Sequence, residues 1–170
     1  KVAEAAEQAL GPGAFMRVED VLRWPLLDKT PPDSFGMIKI ETIGTGIVRY
    51  PIVLERTYKD RGALGTFGQG IPAISPDRPN VELNKPAFIA GVRSDTSFYT
   101  NLGLVAVGNE PSKVKVSLLD GTSGLVVGTW EYVPAGASAP VAITPNQSII
   151  AANIIRALSP TATQGTLKIE

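Results

Sequence analysis

The sequence predicts an all-β fold, a mainly antiparallel β-sandwich with one or two short helices. Three features predict it. Apolar and polar residues alternate in short runs, the period of a half-buried strand. Gly 17 and Pro 14 among 170 residues exceed the usual shares of about 7 and 5 per cent, as expected of many short elements joined by turns. Charged residues make up only 19% of the chain and apolar ones 44%, so it can bury a core rather than remain disordered.

Taken in chain order, residues 2–10 (VAEAAEQAL) are helix formers that stop at Gly11-Pro12-Gly13, although the same segment aligns below with a strand, and both readings stand. Residues 18–26 offer two further helical turns up to Pro25. A strand pattern covers 37–43, breaks at Gly44-Thr45-Gly46 and resumes over 47–58, where Pro51 demands an edge or a bulge. Residues 75–86, with Pro76, Pro79 and Pro86, read as a linker between a lobe at 1–80 and a lobe at 86–170, two lobes able to pack as one sandwich. Strand runs follow at 88–92, 98–107 and 114–119. The Asp120-Gly121 step then turns the chain back into 125–133, a hairpin signal. Residues 148–158 (SIIAANIIRAL) read as a short helix capped by Asn146.

Self-comparison adds an internal repeat. Residues 36–41 (GMIKIE) recur as 165–170 (GTLKIE), and Leu10-Gly11-Pro12-Gly13-Ala14 corresponds to Val133-Pro134-Ala135-Gly136-Ala137, with a short insertion in the second copy. Residues 1–41 and 124–170 therefore look like two copies of one unit of about 125 residues, a slice of a tandem array. Beginning at Lys1 without an initiator Met, the chain reads as part of something longer.

The zeros exclude most. With no His and no Cys, the chain holds no Ser-His-Asp or Cys-His nucleophile, no thiolate or imidazole metal site and no disulfide. No cofactor is expected. Basic and acidic residues balance at 16 each, which removes a broad footprint for nucleic acid or anionic membrane. No apolar run approaches the roughly 20 residues of a membrane span.

Three motifs resemble immunoglobulin-like β-sandwich repeat modules of large secreted and cell-surface bacterial proteins. They are Glu55-Arg56-Thr57-Tyr58 with the following 65–73 (GTFGQGIPA), then 98–105 (FYTNLGLV), then 132–136 (YVPAG). Ala106 departs from the pattern, since those modules more often place Asn there. The resemblance implies a secreted or cell-surface spacer or binding appendage and carries over no catalytic residues.

Other candidate chemistry has plainer explanations. Ser94-Asp95-Thr96-Ser97 is similar to the Asp-Thr turn of aspartic proteases, but no second Asp-Thr accompanies it, and a β-turn accounts for it. The glycine-rich 65–70 lacks the Lys and helix of a phosphate cradle. Ser123 sits between glycines with no His to activate it. Asn146-Gln147-Ser148 is a glycosylation sequon only in a eukaryotic secretory pathway. The expected function is a non-enzymatic structural, assembly or adhesion module that pairs strands with copies of itself or with neighbouring modules, forming head-to-tail filaments. Leu167, Lys168, Ile169 and Glu170 are the expected assembly edge. The alternative is a carbohydrate-binding appendage of a secreted enzyme, meeting surface glycans through Tyr58, Phe67, Tyr99 and also Trp24. An aspartic hydrolase centred on Asp95 is a remote third.

Overall fold

A computed structural model describes residues 9–19, 21, 37–43, 53–60, 62–64, 66–75 and 77–170. The expected helices at 2–10 and 18–26, the segment 47–52 and Trp24 lie largely or wholly outside the described residues. The chain divides into two units, Lys1–Gly36 and Met37–Glu170. The 75–86 segment belongs to the second, where Glu82 and Lys85 close a tight two-residue turn across Leu83 and Asn84, Asn84 being left-handed at φ 63.

The second unit is mainly antiparallel β, as the alternating runs predict. Strands β1 (Leu54–Asp60) and β2 (Thr66–Pro72) form a hairpin of their own. Then come β3 (Ala87–Arg93), β4 (Leu102–Val105), β5 (Lys115–Leu119), β6 (Val126–Glu131), β7 (Ser148–Ala151), the helix α1 (Ile154–Leu158) and β8 (Gln164–Ile169). A four-stranded sheet has the order β3-β8-β5-β6, and β4 pairs with β7 in a two-stranded sheet. Every pairing among the described residues is antiparallel.

The core explains this arrangement. Along β5 and β8 alternate residues turn inward: Val116 faces Ile169 across the ladder and Leu118 faces Leu167, and all four are buried. The two-stranded sheet adds Leu102 to the same cluster, and α1 adds Ile154, Ile155 and Leu158. Burying such side chains contributes about 1.5–3 kcal/mol each, before the entropy of ordering is subtracted. A second cluster of Ala106, Ile143 and Ile149 continues the core, bridged to the first by Leu104, Val114 and Trp130.

Four expectations are corrected. Residues 148–158 are not one helix: Ile149 and Ile150 pair with Leu104 and Gly103 in the β7 ladder, and α1 starts only after Asn153 turns left-handed at φ 44. Asn146, expected as the helix cap, sits instead in the turn before β7, also left-handed at φ 61. Within 98–107 only Leu102–Val105 is strand, because the residues before it belong to a loop organised by Asp95. Residues 37–43 take no strand pairing among the described residues and are largely exposed.

Candidate functional site

The expected assembly edge is also corrected. Leu167, Lys168 and Ile169 lie in β8, which is hydrogen-bonded to β3 on one side and β5 on the other, and Glu170 exchanges both backbone hydrogen bonds with Lys115. A strand paired on both sides has no backbone groups left to offer a neighbour. The reason is compositional: Leu167 and Ile169 are apolar enough to sit in the middle of the core, and the middle of a sheet is where two partners are available.

The edges of this sheet are β3 and β6. Among the described residues β3 pairs only with β8. Phe88, on the outer face, is 59% exposed, and Ile89, opposite Leu167 on the core side, overhangs that core at 41% exposure. No charge interrupts the strand before Arg93. Gly91, left-handed at φ 71, marks a bulge between Ala90 and Val92. The bulge confines the regular part of the edge to residues 87–90.

Beyond that bulge the chain builds a second feature. Arg93 reaches Asp95, Nη2 to Oδ2 at 2.6 Å, and its guanidinium lies 4.9 Å from the centre of the Phe98 ring. The other Asp95 oxygen accepts the backbone N–H groups of Ser97 at 2.8 Å and Phe98 at 2.9 Å, and the Asp95 N–H donates to the Phe98 carbonyl. Thr100 closes the base of the loop, its hydroxyl donating to the Arg93 carbonyl and accepting from the Arg93 N–H. Ser94 Oγ donates to Asn153 Oδ1 at 2.9 Å, tying the loop to the start of α1. A loop so bonded holds one conformation, yet Phe98 and Tyr99 project from it, Tyr99 at 69% exposure. Arg93 also lines a cleft of about 250 Å³ with Gly91, Gly121, Gln164 and Thr166.

The ionisation of the carboxylates in this region follows from their hydrogen bonds. The Ser97 N–H above all, followed by the Phe98 N–H and Arg93, holds the Asp95 carboxyl below the usual carboxylate range. A group so arranged is an ionised turn former, whereas an aspartic protease shares a proton between two carboxylates. Asp120 is held low in the same way, by the Ser123 N–H and hydroxyl and the Thr122 N–H. The Ser123 hydroxyl is thereby engaged with a carboxylate in a hairpin turn. Among the described residues no three acidic side chains converge on a point that could hold a metal ion.

Of the expected ligand residues, Tyr99 stands in this region. Tyr58 and Phe67 occupy the β1–β2 hairpin one register step apart, Tyr58 opposite Gly68 and Phe67 opposite Lys59, and their side chains lie outside the described residues. Arg93, Phe98, Gln164 and Thr166 were not singled out from sequence. The signal for the first two is local, a cation five residues before an aromatic ring with an Asp-x-Ser turn between them. Gln164 and Thr166 arrive through the β3–β8 ladder, which no local pattern reveals. No protein-family model, curated protein or solved structure matches this chain.

Proposed function

We propose that the protein is a non-enzymatic structural or adhesion module of secreted or cell-surface proteins, which assembles by pairing strands with copies of itself or with neighbouring modules. The observation that carries this reading is the β3 edge, whose regular part is apolar on both faces and paired on one side among the described residues. Natural proteins blunt such edges with charges, Pro or bulges; here the bulge at Gly91 and the charge of Arg93 come only at the far end. The topology suits head-to-tail addition. In a fully antiparallel sheet of four strands, the outer strands β3 and β6 run in opposite directions. A copy added in the same orientation therefore places its β3 antiparallel to β6 of the previous one, and the alternation continues. β-augmentation of this kind draws its affinity from main-chain hydrogen bonds and its specificity from side chains such as Phe88 and Ile89.

Sedimentation across a range of chain concentrations tests it. The wild-type chain is expected to associate as concentration rises, and Ile89→Lys or Phe88→Glu to remain monomeric with an unchanged far-UV spectrum. A wild-type chain that stays monomeric at millimolar concentration overturns the reading, and so does association that both charged variants retain.

A further inference from the structure

We infer that the cleft beside Arg93, together with the loop that carries Phe98 and Tyr99, is a binding site for a neutral pyranose ring of a glycan. Four observations converge on it. The loop is fixed before any ligand arrives: both Asp95 carboxylate oxygens, the Thr100 hydroxyl and the Ser94 hydroxyl are all committed to holding it. A ring displayed on a mobile loop loses freedom when it binds, whereas one on a fixed loop does not, so preorganisation raises the affinity available from a small contact. Tyr99 supplies a largely exposed ring, and the apolar face of a pyranose stacks on such a ring while its hydroxyls reach outward to polar groups.

Such polar groups line the cleft that Arg93 shares with the loop. Gln164 and Thr166 each offer both donor and acceptor atoms, which is what sugar hydroxyls require, and Arg93 links the cleft to the loop by lining the one and stacking on the other. Phe98 acts as a positioning residue, backing the guanidinium so that its remaining N–H groups keep a fixed direction. The cleft, at about 250 Å³, is below the roughly 300–1,000 Å³ of sites for drug-sized ligands, and suits a single ring with the rest of the chain outside.

Charge decides between a neutral sugar and an anion. Arg93 already pairs with Asp95, so the site carries no net charge from that pair, and an incoming phosphate, sulfate or carboxylate would have to compete with a carboxylate in place. A neutral ring needs only the remaining donors. The cleft borders β3 through Gly91, Val92 and Arg93, but Tyr99 lies outside that strand, so Tyr99→Ala is expected to leave self-association untouched and failure of either reading is visible separately.

The test is an amide chemical-shift titration of the full chain with the methyl glycosides of glucose, galactose and mannose as neutral probes, and with glucuronate and inorganic phosphate as anionic ones. At least one neutral probe is expected to give saturable shifts at Arg93, Tyr99, Gln164 and Thr166, with the anionic probes giving none. Tyr99→Ala should weaken that binding roughly tenfold and Tyr99→Phe should largely retain it, since the ring and not the hydroxyl stacks. Gln164→Ala should weaken it as well. An unchanged spectrum away from the substituted residue shows that each variant folds. The inference is overturned by the absence of saturable shifts with every neutral probe, by anionic probes binding at the same residues instead, or by neutral binding that survives Tyr99→Ala.

Discussion

Residues 36–41 and 165–170 share the pattern Gly-x-Ile/Leu-Lys-Ile-Glu, and the fold treats them differently. In the second copy Leu167 is 0% exposed at the centre of the sheet, while its counterpart Ile38 is 46% exposed in a segment without strand pairing. The turn upstream behaves in the opposite way. Gly13 and Gly136 both adopt positive φ, and in both copies the following Ala donates to the carbonyl three residues back, Ala14 to Gly11 at 3.1 Å and Ala137 to Pro134 at 3.0 Å. A turn closes its own hydrogen bond within four residues, so equal sequence yields equal structure. A strand takes its hydrogen bonds from other chain segments, and β8 exists because β3 and β5 flank it.

If partners rather than pattern make the difference, truncation should separate the copies widely. Leu167→Ala removes a side chain enclosed by the core and is expected to cost about 2–5 kcal/mol. Ile38→Ala, at the matching position, should cost no more than about 0.5 kcal/mol. Urea denaturation of the two variants checks this, and equal losses would mean that residues 37–43 are buried in solution.

Backbone packing gives a smaller but more specific probe. A Cβ on Gly165 would lie 2.5 Å from the Leu119 carbonyl oxygen and 2.8 Å from Leu118 Cδ1. Backbone cannot yield as a flexible side chain does, so Gly165→Ala should force β8 away from β5 at a cost of about 1–3 kcal/mol, measured by thermal unfolding. The glycine that opens the second copy is thus required by close approach and not by turn geometry.

The same division between local and distant causes decides what the sequence made legible. The apolar run 88–92 and the alternating runs 114–119 and 125–133 mark β3, β5 and β6 correctly, and Asp120-Gly121 marks the turn between β5 and β6, because these signals reside in consecutive residues. The pattern in 148–158 misled, since a run of Ile and Ala suits helix and strand alike until Leu104 arrives to pair with Ile149. The edge was misplaced for a related reason: strand order depends on which segments meet, and apolar Leu167 and Ile169 promised a strand without saying whether it had one neighbour or two. At the loop, Asp95-Thr96-Ser97 was legible as a turn, whereas the cleft needed Gly91, Gly121 and Thr166 to converge from three distant positions.

Charge offers the finest test, because the ion pair is repeated too. Lys39 pairs with Glu41 at 2.6 Å, both side chains more than half exposed, and Lys168 pairs with Glu170. Among the described residues, only in the second copy does another segment contribute, as Lys115 Nζ reaches Glu170 Oε1 at 2.7 Å. Lys115 first and Lys168 second bring the Glu170 carboxyl from 4.5 down to about 2. A carboxyl whose pKa is lower in the folded chain stabilises the fold above its unfolded value, and that contribution disappears as protons bind. Melting temperatures should therefore fall between pH 4.5 and about 2, and Glu170→Gln should flatten that part of the profile relative to wild type. At neutral pH Glu41→Gln should change stability little, since an exposed pair contributes about 0–1 kcal/mol and is screened by salt. Wild type and Glu170→Gln with the same acid profile would mean that Lys115 does not hold the carboxylate in solution, and would remove the one distant contact that distinguishes the two ion pairs.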